Sequence, residues 1–265
     1  MRPDKVATLV AILTVIAAPV SARPLRILSL DQCADQYVLA LAPEAELALS
    51  PRADDPDSWM RNAARGHRRV RPTLEAAIAF QPDVVVRYWG GEPRLLAALE
   101  RRGSRVLMIN ETPDMAGVQA NVRALARGLG QTGRGERMIQ RMDARLAEAK
   151  RPADPHRTAL YLTAGGFTAG RETLVGAILV AAGFTNLALG PGFAPVSVER
   201  IALAPPARFI LGFFDQVRAD WRGAGRHPVV RRAASGHVAA ILPSAVLSCP
   251  AWFAADAAAM LAAAP

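Results

Sequence analysis

The sequence predicts an α/β protein in which two halves, each with a parallel sheet, flank a helical segment near residues 115–150. Three observations predict it. Residues 25–109 alternate apolar β-type runs with helical patterns, the mark of strand–helix–strand units. The alternation restarts at Thr158, after Pro152 and Pro155 close a helical stretch. Residues 73–86 also align without gaps on residues 197–210, an internal repeat at an offset of 124.

Leu25 to Leu30 alternates apolar residues and reads as a strand, Asp35 to Leu41 as a short helix before Pro43, and Leu47 to Ser50 as a second strand stopped by Pro51. Residues 52–72 are polar and Arg-rich, with Trp59 as their large apolar group. Thr73 is a hydroxyl N-cap for a helix reaching Phe80. After Pro82-Asp83, the β-branched run Val84-Val85-Val86 reads as a buried parallel strand. Glu92–Arg102 is a helix closed by Gly103, and Arg105–Ile109 is the next strand. Met115–Gly128 and Glu136–Lys150 are helices separated by a Gly-rich turn, Gly130–Gly135; in the second, Met138, Ile139, Met142 and Leu146 recur at helical spacing. In the second half, Thr158–Leu162, Phe209–Leu211 and Val238–Leu242 read as strands. A Gly-rich turn covers 164–170, and Leu174–Ala182 is a helix closed by Gly183. In the repeat, Glu75 falls on Glu199, Pro82 on Pro206 and Val85 on Phe209.

The N-terminus has a positive start (Arg2, Lys5), an apolar run from Val6 to Ala18 and the ending Ser21-Ala22, which describes a secretory signal peptide cleaved after Ala22. The apolar run is shorter than the roughly 20 residues of a membrane span. The expected divisions are 1–22 as signal peptide, 23–114 as N-terminal lobe, 115–151 as connecting helices and 152–265 as C-terminal lobe.

Composition bounds the function. With 51% hydrophobic and 21% charged residues in 265, the chain has ample material for a core. Lys and Arg number 32 against 23 Asp and Glu, a formal charge of +9. Loss of residues 1–22 removes Arg2, Lys5 and Asp4, leaving +8. On an exported protein this charge argues for an anionic small molecule, membrane surface or acidic partner rather than nucleic acid. Two cysteines exclude a disulfide-dense scaffold or a zinc array. In an oxidising compartment Cys33 and Cys249 make an even count, and one disulfide between them is expected; two buried thiols are the alternative. Asp31-Gln32 before Cys33 is not the small-residue context of a lipidated cysteine.

No Gly-x-Ser-x-Gly elbow is present, and Ser235-Gly236-His237 has no partner acid, which argues against a hydrolase. His67, His156, His227 and His237 are scattered without zinc spacing. The turn Gly165-Gly166 to Gly170 lacks the Lys-Ser/Thr of a nucleotide loop; it fits better as a backbone-amide cradle for an anion at a helix N-terminus. Tyr88-Trp89-Gly90-Gly91 directly follows the Val84–Val86 strand, at the carboxyl end of a parallel sheet where such sheets bind ligands. Two aromatics there, with Arg87 beside them, suit a flat or bulky ligand; strand-end core is the other reading. The repeat-equivalent positions are Gly212 and Phe213, followed by Phe214. Glu75 and Glu199 sit in first helical turns, where the helix dipole alone favours a carboxylate.

Several segments carry a resemblance: Arg26-Ile27-Leu28-Ser29-Leu30-Asp31-Gln32-Cys33-Ala34-Asp35, Leu49-Ser50-Pro51 with Asp55-Pro56, Leu74-Glu75 with Pro82 to Val86, Ala164 to Gly170, and Val198-Glu199-Arg200. In this order and spacing the chain resembles the periplasmic substrate-binding proteins of ferric-siderophore and cobalamin ABC importers. One departure is Asp31, where a subgroup with a Ser-Leu-Asn-x-Cys-x-Asp start carries Asn; another is Pro206-Ala207 in place of Pro-Asp. The resemblance implies two parallel-sheet (Rossmann-like) lobes joined by a long backbone helix, Glu136–Lys150, that limits motion to a small hinge. It implies a ligand cleft at Gln32, Pro51, Arg52, Tyr88, Trp89, Gly165, Gly166, Phe167, Phe193, Phe213 and Phe214. It also implies docking of Glu75 and Glu199 on a membrane permease that works with an ATPase. The ligand would be a metal chelate: a ferric siderophore or heme, favoured by Arg52 and Arg87, or cobalamin. No enzymatic role, resident cofactor or metal site is expected, and the protein should be a periplasmic monomer. An exported α/β enzyme and a free-metal-ion binder are the alternatives.

Overall fold

The computed structural model describes residues 23–151, 154, 156–216 and 223–264. The signal-peptide expectation, on 1–22, and Pro152 and Pro155 lie outside the described residues.

The first lobe runs β1 (Arg26–Ser29), α1 (Gln32–Leu41), β2 (Glu46–Leu49), β3 (Arg68–Arg69), α2 (Leu74–Phe80), β4 (Val84–Arg87), α3 (Pro93–Glu100) and β5 (Arg105–Met108). Its five strands lie in the order β3-β2-β1-β4-β5, all parallel. Ile27, Val84 and Val86 face one core with Tyr37, Val38 and Leu41 of α1. Leu28 and Val85 face the other, with Phe80 of α2 and Leu95 and Leu99 of α3. Burial of Val84–Val86 on both faces is what a β-branched run in a helix-covered parallel sheet requires.

Two helices follow, α4 (Met115–Gly128) and α5 (Thr132–Ala149). The predicted turn at Gly130–Gly135 is therefore mostly helix. The reason is packing: a Cβ on Gly135 would stand 2.4 Å from Cβ of Ala126, so glycine lets α5 approach α4. At 18 residues, α5 spans about 27 Å from the first lobe to the second.

The second lobe runs β6 (Thr158–Thr163), β7 (Phe167–Ala169), α6 (Leu174–Ala181), β8 (Thr185–Asn186), β9 (Phe193–Pro195), α7 (Val198–Leu203), β10 (Phe209–Gly212), α8 (Pro228–Ala234), β11 (Val238–Leu242), α9 (Ser244–Leu247) and α10 (Ala254–Ala262). Its parallel sheet has the order β11-β10-β6-β8. The chain-order equivalents in the first lobe, β5-β4-β1-β2, stand in the same arrangement, so the short repeat extends to the whole topology. The caps agree as well: Thr73 Oγ1 accepts from Ala76 N–H and Ser197 Oγ from Arg200 N–H. The repeats differ at the strand entrance. Asp83 accepts from Arg26 N–H at 2.9 Å, tying β4 to β1, and Ala207 has no carboxylate for the same task.

The C-terminal segment departs from the expected lobe boundary. Cys249, Ala251 and Phe253 are buried in the core of the first lobe, while α10 packs beside α5 and α6 in the second. Tyr37 Oη donates to the Pro250 carbonyl at 2.7 Å, and Trp59 stacks on Phe253 at 5.3 Å. The chain thus crosses between lobes twice, through α5 and through 249–253. Cys33, in the first turn of α1, is bonded to Cys249 across 216 residues of sequence.

Candidate functional site

Each sheet reverses its winding beside its first strand, between β1 and β4 in one lobe and between β6 and β10 in the other. Open α/β sheets form their ligand crevice outside the carboxyl ends of the strands at such a point. The predicted site residues stand there: Gln32 after β1, Tyr88 and Trp89 after β4, Gly165 and Gly166 after β6, Phe213 and Phe214 after β10. Pro51 and Arg52 follow β2, at the start of the segment that leads to β3.

In the first lobe the loops are held by polar contacts. Gln32 is buried and donates to Asp57 at 3.0 Å and to Ser58 Oγ at 2.8 Å. Arg52 pairs with Asp55 at 2.9 Å and with Asp57 at 3.3 Å. Its charge is thus matched inside its own loop, and it does not supply the free cation expected for an anionic ligand. Arg87 ends β4 half-buried; strand alternation directs it with Val85 toward α2 and α3, away from Tyr88, and its Nε is buried without a partner. The positive charge lies elsewhere: Arg61, Arg65, Arg68 and Arg71 are exposed on the segment before α2.

Trp89 is 57% exposed, so the strand-end core reading does not hold for it. Tyr88 is half-buried, and its hydroxyl donates to the Glu111 carboxylate; burial raises the Glu111 carboxyl above the ordinary range. A residue outside the predicted set organises this loop. Asp31 Oδ2 accepts from the backbone N–H of Tyr88 at 2.7 Å and of Gly90 at 2.9 Å, while Oδ1 accepts from Ala34 N–H and caps α1. A Cβ on Gly90 would stand 2.4 Å from the Leu30 carbonyl oxygen, so only glycine lets the loop lie against residues 30–31.

In the second lobe, Gly166 has φ +88 and its Cβ position is filled by Ala224. The turn leads into β7, and α6 begins only at Leu174, capped by Thr173. The anion cradle at a helix N-terminus is therefore not formed, because a strand intervenes. The strand pairs antiparallel with β9 and gives a ribbon carrying Phe167 and Phe193, 48% and 61% exposed. Phe213 has φ +60, a strained conformation for a non-glycine residue of the kind that gathers at functional sites. The Arg226 guanidinium lies over the Phe214 ring at 5.0 Å.

The lobes meet over a cleft. A cavity of about 250 Å³ is lined by Tyr88 and Glu111 from one lobe, Leu174, Ile178 and Phe193 from the other, and the crossing segment Val246–Pro250 below. A second concavity of about 370 Å³ lies on the first-lobe face, among Leu30, Gln32, Pro51, Arg52 and Trp89. Gln216 of the second lobe donates to Asp57 of the first at 3.0 Å, across the gap. Glu75 and Glu199 are exposed in the first turns of α2 and α7, one on each lobe. Among the described residues no group of three or more His, Cys, Asp or Glu is placed to hold a metal ion, and no helix is long and apolar enough to cross a membrane.

Two sheets with their carboxyl ends turned on one aromatic-lined cleft define a two-lobed solute-binding protein. The family model described as "Periplasmic binding protein" matches residues 36–212. The chain belongs to this family, whose members are binding proteins. Among solved structures it is similar to a periplasmic heme-binding protein from Pseudomonas aeruginosa, at 25% identity and TM-score 0.61, covering 91% of this chain and 94% of that one. It is similar in fold to the heme-binding protein RhuT from Roseiflexus sp. RS-1, at 22% identity and TM-score 0.67 over 90% and 97% of the two chains. The vitamin B12 binding protein BtuF of Vibrio cholerae matches at 19% identity and TM-score 0.59 over 90% and 95%. No curated protein matches the sequence.

Proposed function

We propose that the chain is the periplasmic solute-binding component of an ABC importer, capturing a flat metal chelate between its lobes. The carrying observation is that aromatic side chains stand at the winding reversals of both sheets: Tyr88 and Trp89 on one lobe, Phe213 and Phe214 on the other. The ribbon Phe167 and Phe193 adds two more exposed rings. A planar, largely apolar ligand gains most from such walls, since exposed rings bury large areas at small conformational cost. Heme is the first candidate, supported by the 25% identity to a heme-binding protein; a ferric siderophore and cobalamin are the others. Because Arg52 is matched by Asp55 and Asp57, stacking rather than charge carries the selection.

Export follows the N-terminal pattern, with cleavage after Ala22, and places the protein in the periplasm. Delivery uses Glu75 and Glu199, exposed carboxylates at equivalent places on the two lobes, which dock onto basic residues of a permease coupled to an ATPase. The test is titration of the mature protein, followed by tryptophan fluorescence, with hemin, cyanocobalamin and a ferric siderophore. Saturable quenching by one of them supports the reading; no response to any of the three refutes it.

A further inference from the structure

We propose that Asp31 is the positioning residue of the ligand-facing loop, holding Tyr88–Gly90 in the conformation that presents Trp89 to the cleft. The proposal rests on the reading of this cleft as the ligand site and extends it to a buried residue beneath the loop. Asp31 is 1% exposed, and its three partners are all backbone N–H groups. One oxygen serves α1 and the other serves the loop. The carboxylate therefore bolts the start of α1, where Gln32 and the bonded Cys33 lie, to the segment that follows β4.

The chemistry demands a carboxylate. An ionised Asp is acceptor-only at both oxygens, and its bonds to N–H groups are charge-assisted. Asn has one acceptor oxygen, and its NH₂ would face either Ala34 N–H or the pair from Tyr88 and Gly90, donor against donor. Close packing fixes the loop from the other side: Gly90 lies against the Leu30 carbonyl, and a Cβ on Gly91 would stand 2.6 Å from Leu30 Cδ1. Trp89, between the held amides of Tyr88 and Gly90, has its backbone fixed while its ring remains 57% exposed. Holding an exposed aromatic in its bound orientation lowers the ordering cost of binding.

Two variants separate positioning from capping. Asp31→Asn keeps size and loses one acceptor. Asp31→Ser keeps an effective N-cap for α1 but is too short to serve Tyr88 and Gly90 as well. The first readout is amide hydrogen exchange of the mature apoprotein, which needs no ligand. In Asp31→Ser the Tyr88 and Gly90 amides should exchange at least about tenfold faster, the loss of one charge-assisted bond, while Ile27 and Leu28 amides in β1 are unchanged. The second readout is hemin affinity, which should fall about tenfold in both variants for the same reason. Unchanged exchange at Tyr88 and Gly90, or acceleration spread evenly over β1 and β4, overturns the proposal. Wild-type protein that fails to bind hemin counts against heme as ligand, whereas the exchange result still judges Asp31.

Discussion

Removing the Cys33–Cys249 bond by Cys33→Ala with Cys249→Ala should cost the protein most of its stability. The two residues close a loop of 216 positions, for which the chain-entropy relation gives about 5 kcal/mol at 25 °C. Both side chains are buried in the first-lobe core, at 2% and 4% exposure, so truncation to alanine adds a cavity cost of about 1 kcal/mol. Domains are stable by about 5–15 kcal/mol in total, and the variant should unfold at a far lower urea concentration. The bond also pins the crossing segment, whose Ser248–Pro250 line the cleft floor, so ligand affinity should fall together with stability. The assay is urea unfolding followed by tryptophan fluorescence, beside alkylation of the native wild type with and without reductant. A loss below about 1 kcal/mol, less than the low end of what native disulfides contribute, would refute the reasoning, as would two alkylatable thiols in unreduced native protein.

Two further outcomes are expected. Glu75→Ala with Glu199→Ala should abolish uptake by cells carrying the importer while leaving ligand affinity unchanged, since both side chains are exposed and away from the cleft walls; a loss of affinity would place them in the site. Stability should fall as pH rises from 4 to 7: burial raises the Asp35 carboxyl from 3.8 to about 7 against its Ser50 hydrogen bonds. The native state then keeps a proton that the unfolded chain has released, so the contribution is full below pH 4 and lost above 7. The rise corresponds to at most about 4 kcal/mol, and Asp35→Asn should flatten the urea midpoint between pH 5 and 8; an unaltered slope would contradict it.

The parts of the fold that local chemistry dictates were readable in the sequence. Val84–Val86 announces a buried strand, Thr73 and Ser197 announce helix starts, and the repeat around them foretells two lobes of one topology. What depended on distant partners was not. The return of 249–253 to the first lobe is signalled only by the Cys33–Cys249 pairing. Helix α10 is Ala-rich on every side, and its buried Ala254, Ala255, Ala257 and Ala258 show no apolar periodicity to read. The ribbon β7–β9 hides behind Gly165-Gly166, with three residues to a strand. In the site, the aromatic positions followed from strand ends, but the electrostatics did not. Arg52 suggests a free cation until Asp55 and Asp57, three and five residues on, are seen to fold back onto it. Asp31 carried a signal, an acid just before a helical stretch, yet its hold on Tyr88 and Gly90 spans 57 and 59 residues.

The central claim is that both lobes grip one ligand. It is tested most directly by calorimetric titration of wild type, Trp89→Ala and Phe213→Ala with whichever of hemin, cyanocobalamin or ferric siderophore quenches the protein. Each variant, altering one lobe, should bind at least about tenfold more weakly, as truncation of an aromatic anchor does; full affinity in either variant would contradict a site shared between the lobes.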